Sequence, residues 1–308
     1  MDNPYSFYFL YLGLFSLFYL SRFNGGYLAE LTIEKHFIRV CDIPFENGLF
    51  MPIFRCSALI LFCLIGTSNV WAQSEADETL SKLDQNYYYP QHDIGLKKVT
   101  ARVQWKQLDV ASGSGKFLRN PEFKFTWEND GAKGRYEFEL IGDEKDYSIK
   151  RKFELTNQIK NYGELIIPLR LKQKFAQYRG SLKKMAGGWS RLLYTTNSTD
   201  KNVESYNLLV DMNDVKVDKI RFKQRSAPRK VNGVFRYEKV DEKWAINESR
   251  SSFIMGELEY KETSTYRYKK IGDIWLVHQI DQLLKQDNRI FQSHRFKILD
   301  VQTTFSKN

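Results

Sequence analysis

The sequence predicts a mainly β protein with some α-structure, of the α+β class, built on an antiparallel sheet. From Trp189 onward, apolar and polar residues alternate in short runs that are separated by turn residues. Such alternation is typical of strands with one buried and one exposed face. Helical spacing of apolar residues is confined to two stretches, 74–88 and 148–185. A meander of strands with a separate block of helix favours the α+β class.

The first element after residue 72 is predicted to be a short helix over Ser74–Tyr88. Leu80, Leu83 and Tyr87 follow the spacing i, i+3, i+7 that places side chains on one helix face. Pro90 ends the pattern.

Three strands are predicted next. In Val99–Leu108, the odd-numbered residues from Val99 to Trp105 are apolar and the even-numbered ones are polar, as in a half-buried strand. Phe123–Trp127 and Arg135–Ile141 alternate in the same way, and the turn residues Asn129, Asp130 and Gly131 lie between them.

A helical insertion is predicted from Ser148 to about Met185. Pro168 divides it into two helices, because proline is well accommodated only in the first turn of the second one. Gly187 and Gly188 end the second helix. The apolar positions at helical spacing are Leu155, Ile159, Tyr162, Ile166, Leu171, Phe175, Tyr178, Leu182 and Met185.

The remainder is predicted to be an antiparallel meander. Its candidate strands are Arg191–Thr196, Tyr206–Met212, Lys216–Gln224, Val231–Val240, Lys243–Glu248, Ser252–Tyr260, Thr263–Ile271, Ile274–Leu284 and Ile290–Leu299. The turn residues are Asn213-Asp214, Asp241-Glu242, Lys261-Glu262 and Gly272-Asp273. No Pro/Gly/Ser linker interrupts residues 73–308, which favours one domain.

Residues 51–72 have the pattern of a secretory signal peptide. Arg55 is a short basic region, Cys56–Ile65 is an uncharged apolar run, and Val70 and Ala72 occupy positions −3 and −1 of a cleavage site before Gln73. Since a signal peptide acts only at an N-terminus, residues 1–50 are interpreted as an upstream translation artefact. The alternative is a retained hydrophobic N-terminus in which Tyr5–Leu20 and Ile53–Val70 both enter a membrane.

Composition narrows the class of protein. All three cysteines, Cys41, Cys56 and Cys63, precede residue 73, so an exported domain without disulfides is expected, as in a bacterial periplasm. The net charge is +10, and residues 73–308 carry the excess, because residues 1–72 hold four basic and five acidic residues. This charge favours anionic partners such as a membrane surface or an acidic polysaccharide, or else an ordinary solvated surface. The basic residues are scattered, so we expect no nucleic-acid partner.

One hairpin in the meander carries a family pattern. The segment Tyr268-Lys-Lys-Ile-Gly-Asp-Ile-Trp-Leu-Val-His-Gln-Ile280 resembles a Tyr-x-x-x-Gly/Asp-x-x-Trp-Leu-Pro-x-x-Ile hairpin. That hairpin is found in the periplasmic outer-membrane lipoprotein-sorting superfamily of LolA- and LppX-like proteins. Val277 stands where the family usually has proline. The opening helix followed by a strand at Val99 also matches the start of that family.

The resemblance implies a strongly curved antiparallel sheet, an unclosed half-barrel, with helices across its concave face. It also implies an apolar cavity that takes lipid or lipoprotein acyl chains, with the insertion 149–185 as a lid. The expected cavity residues are Trp105, Trp127, Phe222, Phe235, Tyr237, Trp244, Tyr268 and Trp275, and the expected lid residues are Phe153, Ile159, Leu171, Phe175 and Tyr178. In the family a basic residue on an early strand holds the lid closed, and Arg102 lies on the corresponding element.

The sequence contains no recognisable motif for catalysis or for metal binding. His92, His278 and His294 lack the spacing of metal ligands, and no Gly-x-Ser-x-Gly nucleophile motif occurs. We therefore expect no metal, no cofactor and no enzymatic activity. The predicted function is a periplasmic carrier of a lipid or lipid-modified partner. The alternative is a structural or interaction protein of the cell envelope with a filled core. The sequence leaves the ligand and the oligomeric state open.

We expect that expression from Met51 yields an exported protein that begins at Gln73, because the basic, apolar and cleavage regions follow in the order that signal peptidase recognises. N-terminal sequencing of the purified protein checks this. Residues upstream of Met51 in the mature chain would contradict it.

Overall fold

The computed structural model describes residues 73–110, 112–131, 134–142, 148–160 and 162–306. The predictions for residues 1–50 and for the signal peptide 51–72 lie outside the described residues.

The described residues form a single open antiparallel sheet of twelve strands, in the order β3-β2-β1-β12-β11-β10-β9-β8-β7-β6-β5-β4. The strands are β1 (Leu96–Leu108), β2 (Phe117–Glu128), β3 (Arg135–Ile141), β4 (Arg179–Lys184), β5 (Trp189–Thr195), β6 (Val203–Asp211), β7 (Lys216–Gln224), β8 (Lys230–Val240), β9 (Lys243–Met255), β10 (Leu258–Ile271), β11 (Ile274–Gln286) and β12 (Arg289–Phe305). The predicted α+β class and the unclosed half-barrel are both confirmed.

The helices are short and cover one face of the sheet. They are α1 (73–86), α2 (Pro90–Asp93), α3 (Ile149–Lys160), α4 (Gly163–Ile166) and α5 (Leu171–Phe175). Strands β3 and β4 follow one another in the chain but form opposite edges of the sheet. The segment that joins them, which contains α3, α4 and α5, must therefore cross the width of the sheet.

Burial alternates along the strands, so one face packs against the helices and the other faces solvent. In β1, Val99, Ala101, Val103 and Trp105 are buried, as the sequence predicted. The buried side chains form two large cores. The first joins α1 and α5 mainly to β4–β9, and the second joins α3 and α4 to β1–β3 and β10–β12. We call α3, α4, α5 and the residues between them the cover. The cover is divided between the two cores, because α3 and α4 pack in the second and α5 packs in the first.

Two-residue turns fix several hairpins of the meander. The predicted turn Asp241-Glu242 joins β8 to β9, and both residues have positive φ, as type I′ turns require. Gly272 and Asp273 join β10 to β11, so the hairpin that carries the family pattern forms as expected. Tyr268 pairs with Val277 across it.

The predicted second helix is wrong beyond Phe175. Residues 179–184 form strand β4, which pairs with β5 at the edge of the sheet. Gly180 and Ser181 are weak helix formers, and pairing with β5 outweighs the helical spacing of the apolar residues. Glycine is required at 180, because a Cβ there would lie 2.7 Å from the ring of Tyr194 and 3.0 Å from Ala76.

The meander also has one strand fewer than predicted after Trp189. Residues 243–255 form the continuous strand β9, and the turn into β10 lies at Gly256 rather than at Lys261-Glu262. In the sequence alone, the polar residues near position 250 indicate the end of one strand and the start of the next. Ser249 is instead buried in the strand, where its hydroxyl forms a hydrogen bond of 3.0 Å with that of Tyr266.

A row of buried polar side chains crosses the inner face of β10, β11 and β12. Gln282 Nε2 donates to Glu262 Oε1 (3.0 Å), and the hydroxyl of Ser264 donates to the same oxygen (3.3 Å). His294 lies opposite Gln282 in the neighbouring strand, and its Nδ1 accepts from the indole N–H of Trp105 (3.0 Å). The interior is therefore polar along this row.

The buried imidazole of His294 predicts a pH-dependent stability. Burial lowers its pKa to about 3, whereas an unfolded histidine has a pKa of about 6.5. The unfolded chain takes up this proton first, so the free energy of unfolding falls as the pH drops from about 6.5 towards 3. Between pH 7 and 5 we expect the wild type to lose about 2 kcal/mol more than a His294→Gln variant.

Urea unfolding at several pH values checks this difference. His92→Gln, which alters an exposed histidine, should keep the slope of the wild type. Identical slopes for the wild type and His294→Gln would show that His294 binds its proton normally in the folded state.

Candidate functional site

An apolar pocket lies between the helical cover and the inner face of the sheet. Its walls combine residues of the two large cores with Tyr88 and Ala245 of a small third cluster. The cavity has a volume of about 50 Å³, which holds no more than a few water molecules.

Three parts of the chain form the walls. The sheet contributes Leu208, Val217, Tyr237, Trp244, Ala245, Ile246, Tyr266 and Tyr268; the cover contributes Leu165, Pro168, Leu171 and Phe175; and the segment after α1 contributes Tyr87, Tyr88 and Tyr89. None of these fifteen residues has a side chain that is charged at neutral pH.

The tyrosine hydroxyls of the walls are bonded to other protein groups. Tyr87 Oη accepts from the N–H of Val217 (2.8 Å), and the hydroxyl of Tyr237 donates to the carbonyl of Val217 (2.6 Å). Tyr88 Oη accepts from the N–H of Trp275 (2.8 Å). Tyr268 donates to the carbonyl oxygen of Ile246 (3.1 Å).

Burial keeps these phenols neutral. It raises the pKa of Tyr87 to about 12, although the hydrogen bonds to Tyr237 and Val217 oppose the shift. Burial also raises the pKa of Tyr237 and of Tyr268 well above the usual value. The site therefore offers apolar surface and neutral aromatic rings, but no ionised group.

Asp84 of α1 fastens the cover over the pocket. Its fully buried carboxylate accepts from the backbone N–H groups of Leu171 (2.7 Å) and Lys172 (3.0 Å), which begin α5. It also accepts from the hydroxyl of Tyr89 (2.9 Å). One carboxylate thus joins α1, the tyrosine segment and α5.

Further polar contacts hold the rest of the cover. The hydroxyl of Tyr162 donates to Gln282 Oε1 (2.6 Å), which ties the start of α4 to the buried polar row. Within the cover, Lys174 Nζ of α5 lies 3.7 Å from Glu164 Oε2 of α4, and both side chains are nearly inaccessible to solvent. Burial lowers the pKa of Lys174, and the charge of Glu164 opposes that shift.

Five of the thirteen residues that the sequence analysis selected line this pocket. Tyr237, Trp244 and Tyr268 are in its sheet wall, and Leu171 and Phe175 of α5 are in its cover.

The other eight lie elsewhere. Trp105, Trp127 and Ile159 are buried in the second core, and Phe222, Phe235 and Tyr178 are buried in the first. Trp275 is half-buried, with its indole N–H bonded to Asp241 (3.0 Å). Phe153 is 60% exposed on α3.

Arg102 does not reach the cover. It lies on the outer face, where its guanidinium contacts Glu122 (2.8 Å) and Asp300 (2.7 Å). The role that the family resemblance implied for Arg102 is therefore wrong. In this chain Asp84 is one of the residues whose contacts hold the cover.

Sequence analysis did not select the Tyr87–Tyr89 segment for the pocket. Three consecutive tyrosines before Pro90 are a visible signal, but the spacing of an opening helix explained them equally well. Asp84 gave no signal at all, since it is one acidic residue on an amphipathic helix. Its partners in α5 are 87 and 88 residues away in the chain.

Comparisons with known proteins concern the fold. No family model and no curated protein matches this sequence. Among solved structures, the chain is similar to a domain from Vibrio parahaemolyticus described as an outer membrane lipoprotein-sorting protein. The identity is 10%, the match covers 76% of this chain and 95% of that one, and the TM-score is 0.37.

Two further structures are similar. A DUF1329 family protein from Desulfovibrio piger has 10% identity over 77% of this chain and 95% of that chain, with a TM-score of 0.34. A LolA superfamily protein from Nitrosomonas europaea has 10% identity over 75% and 94%, with a TM-score of 0.33. Two of the three carry the name of the superfamily that the sequence resembles. Because the sequence identities and TM-scores are low, these matches do not show which ligand or partner this chain binds.

None of the helices within residues 73–306 combines the length and the apolar character needed to cross a bilayer.

The position of Asp84 predicts that it controls the stability of the cover. Asp84→Ala leaves the buried N–H of Leu171 without its charged acceptor, so we expect the free energy of unfolding to fall by about 3 kcal/mol. Amide exchange over 162–175 should accelerate more than exchange in β5–β8, because the substitution releases the cover first.

Asp77→Ala is the matched control, because Asp77 lies on the exposed side of the same helix. It should change the free energy of unfolding by no more than about 0.5 kcal/mol. Unchanged exchange over 162–175 in Asp84→Ala would contradict the anchoring role.

Proposed function

We propose that this protein is a non-enzymatic carrier that binds the acyl chains of a lipid or lipid-modified partner in the apolar pocket. The uncharged lining of the pocket supports the proposal most directly. The wall hydroxyls are already bonded to protein groups, so the surface left to a ligand is apolar. Such a surface suits a hydrocarbon chain, which gains about 0.8 kcal/mol per buried methylene.

Binding requires the pocket to enlarge. Sites for small molecules have volumes of about 300 Å³ or more, whereas this cavity has about 50 Å³. An acyl chain therefore has to displace part of the wall. Two walls are not part of the sheet, namely the Tyr87–Tyr89 segment and the wall formed by α4, α5 and the residues between them. The second of these is the wall that we propose moves.

Two features favour movement of this wall. Helices α4 and α5 have only four and five residues, and helices this short are not stable without tertiary contacts. In addition, α4 belongs to the second core and α5 to the first. The cover can open along this division without splitting a continuous core.

The proposed location is the periplasm, after export by the signal peptide at 51–72. The basis is the order of basic, apolar and cleavage regions in the sequence. Lipid transfer between membranes is the task that this location and an acyl-binding pocket would serve together.

A second candidate function is that of an envelope protein that uses the same fold for interaction and binds no lipid. The small volume of the cavity favours it. In that case the side chains are well packed where the two cores meet, and hydrophobic probes will find no saturable binding site.

A chain-length series tests the proposal. We expect saturable binding of saturated fatty acids to the purified protein, measured by displacement of the fluorescent cis-parinaric acid. Affinity should rise about fourfold for each added methylene until the pocket is full. Native mass spectrometry of the protein as purified should show lipid adducts. Probe binding that does not saturate would support the interaction protein instead.

A substitution in the pocket tests its location. Ala245 is a buried wall residue, so Ala245→Leu places extra atoms in the cavity. We expect this variant to remain folded and to lose at least tenfold in parinaric acid affinity. Ala186→Leu makes the same change at an exposed turn and should bind as the wild type does. Equal affinities for both variants would place the binding site elsewhere.

A further inference from the structure

The outer face of strands β4–β8 is rich in basic side chains. Strand register aligns three rows of outward-facing residues across these five strands, and we call these fifteen positions the basic face. The rows are Lys183, Arg191, Leu209, Lys219, Val234; Ser181, Leu193, Asn207, Arg221, Asn232; and Arg179, Thr195, Ser205, Lys223, Lys230. Neighbouring strands are about 4.8 Å apart, and alternate residues within a strand are about 6.7 Å apart.

Seven of these fifteen positions hold lysine or arginine, and none holds an acidic residue. Two carboxylates lie beside the basic face. Glu204 is 2.8 Å from the ammonium group of Lys223, and Asp218 is 3.8 Å from that of Lys219. The basic face therefore keeps a net positive charge on a rigid surface.

The outer face of the opposite half of the sheet is different. There cations and carboxylates form pairs across the strands, at distances from 2.5 to 3.1 Å. These pairs are Arg102 with Glu122 and Asp300, Lys124 with Glu139, and Arg295 with Asp281. These cations are thus paired with carboxylates, whereas no acidic residue occupies the fifteen positions of the basic face.

Apolar side chains lie among the cations of the basic face. Leu193 is 39% exposed and Val234 is 40% exposed, and Leu209 is partly exposed between Arg191 and Lys219. Cations with apolar neighbours suit the boundary between lipid headgroups and acyl chains. An acidic polysaccharide has no acyl layer to receive these side chains.

The chain enters the fold beside this face. Gln73 is the first described residue, and its side-chain carbonyl accepts from the backbone N–H of Gly180 in β4 (2.5 Å). Two residues on, Glu75 pairs with Lys184 (3.1 Å).

We propose that the basic face is a docking surface for an anionic lipid bilayer. Lysine and arginine side chains meet the headgroups, and Leu193, Leu209 and Val234 contact the acyl boundary. The surface lies on the opposite side of the sheet from the pocket, so docking leaves the cover free. The inference does not rest on the proposed acyl binding, and each can fail without the other.

Vesicle sedimentation with the protein that begins at Gln73 tests docking. The test variant combines Lys183→Gln, Arg191→Gln and Arg221→Gln, all at exposed positions. Each cation near an anionic membrane contributes a factor of about five in partitioning. We therefore expect about a 100-fold loss of binding to vesicles of phosphatidylglycerol and phosphatidylcholine. Binding of the wild type should weaken when the salt concentration rises from 0.1 to 0.5 M.

The matched control neutralises Lys97, Lys269 and Lys270, which are exposed outside the basic face. It has the same net charge as the test variant. We expect its binding to fall less than threefold. Equal losses in both variants would show that only net charge matters and would overturn the proposal. Unchanged binding in the test variant would overturn it too.

Two further measurements complete the test. The thermal unfolding midpoint should be the same in the test variant and the wild type, which confirms that the variant is folded whether or not the protein binds acyl chains. Soluble alginate, an acidic polysaccharide, should bind far more weakly than the vesicles. If the test variant loses alginate binding but retains vesicle binding, the basic face recognises polysaccharide and the membrane proposal is wrong.

Discussion

The constraint on which the structure depends is the placement of two consecutive strands at opposite edges of one open sheet. Since β3 and β4 are the outermost strands, the chain between them has to cross the inner face. That crossing supplies α3, α4 and α5 as a cover for side chains that would otherwise be exposed. It also places α4 on one core and α5 on the other. The pocket lies where these two packing units meet.

Polar contacts act together with apolar burial to fix the position of this cover. The short helices α4 and α5 cannot be stable alone, and they depend on buried partners in other parts of the chain. Asp84 supplies a carboxylate to the first backbone N–H groups of α5, and Gln282 supplies an acceptor to Tyr162 before α4. A few directional bonds of this kind allow a cover to close in one position and still open at moderate cost, because each bond adds only about 1–3 kcal/mol.

The two faces of the sheet differ in electrostatic character, and the difference follows from strand periodicity. Side chains alternate between the faces, so one strand serves both a mainly apolar interior and a charged exterior. In β8, Phe235 is buried in the first core while Val234 and Arg236 are exposed. Together the proposals describe a protein that rests on an anionic membrane by its outer face and handles acyl chains on its inner face.

The sequence by itself determined the class of fold, most strand positions and the inward residues of β1, because period-2 alternation and turn residues are local signals. It also selected five residues of the pocket, since large aromatic and aliphatic side chains at inward positions recur there. Tertiary structure decided the rest. Residues 179–184 have helical spacing, yet they form a strand because β5 offers an unpaired edge. Asp84 and Glu262 have no local signal, since their partners are distant in the chain or on neighbouring strands. The basic face likewise depends on the register of five strands, which no single strand sequence specifies.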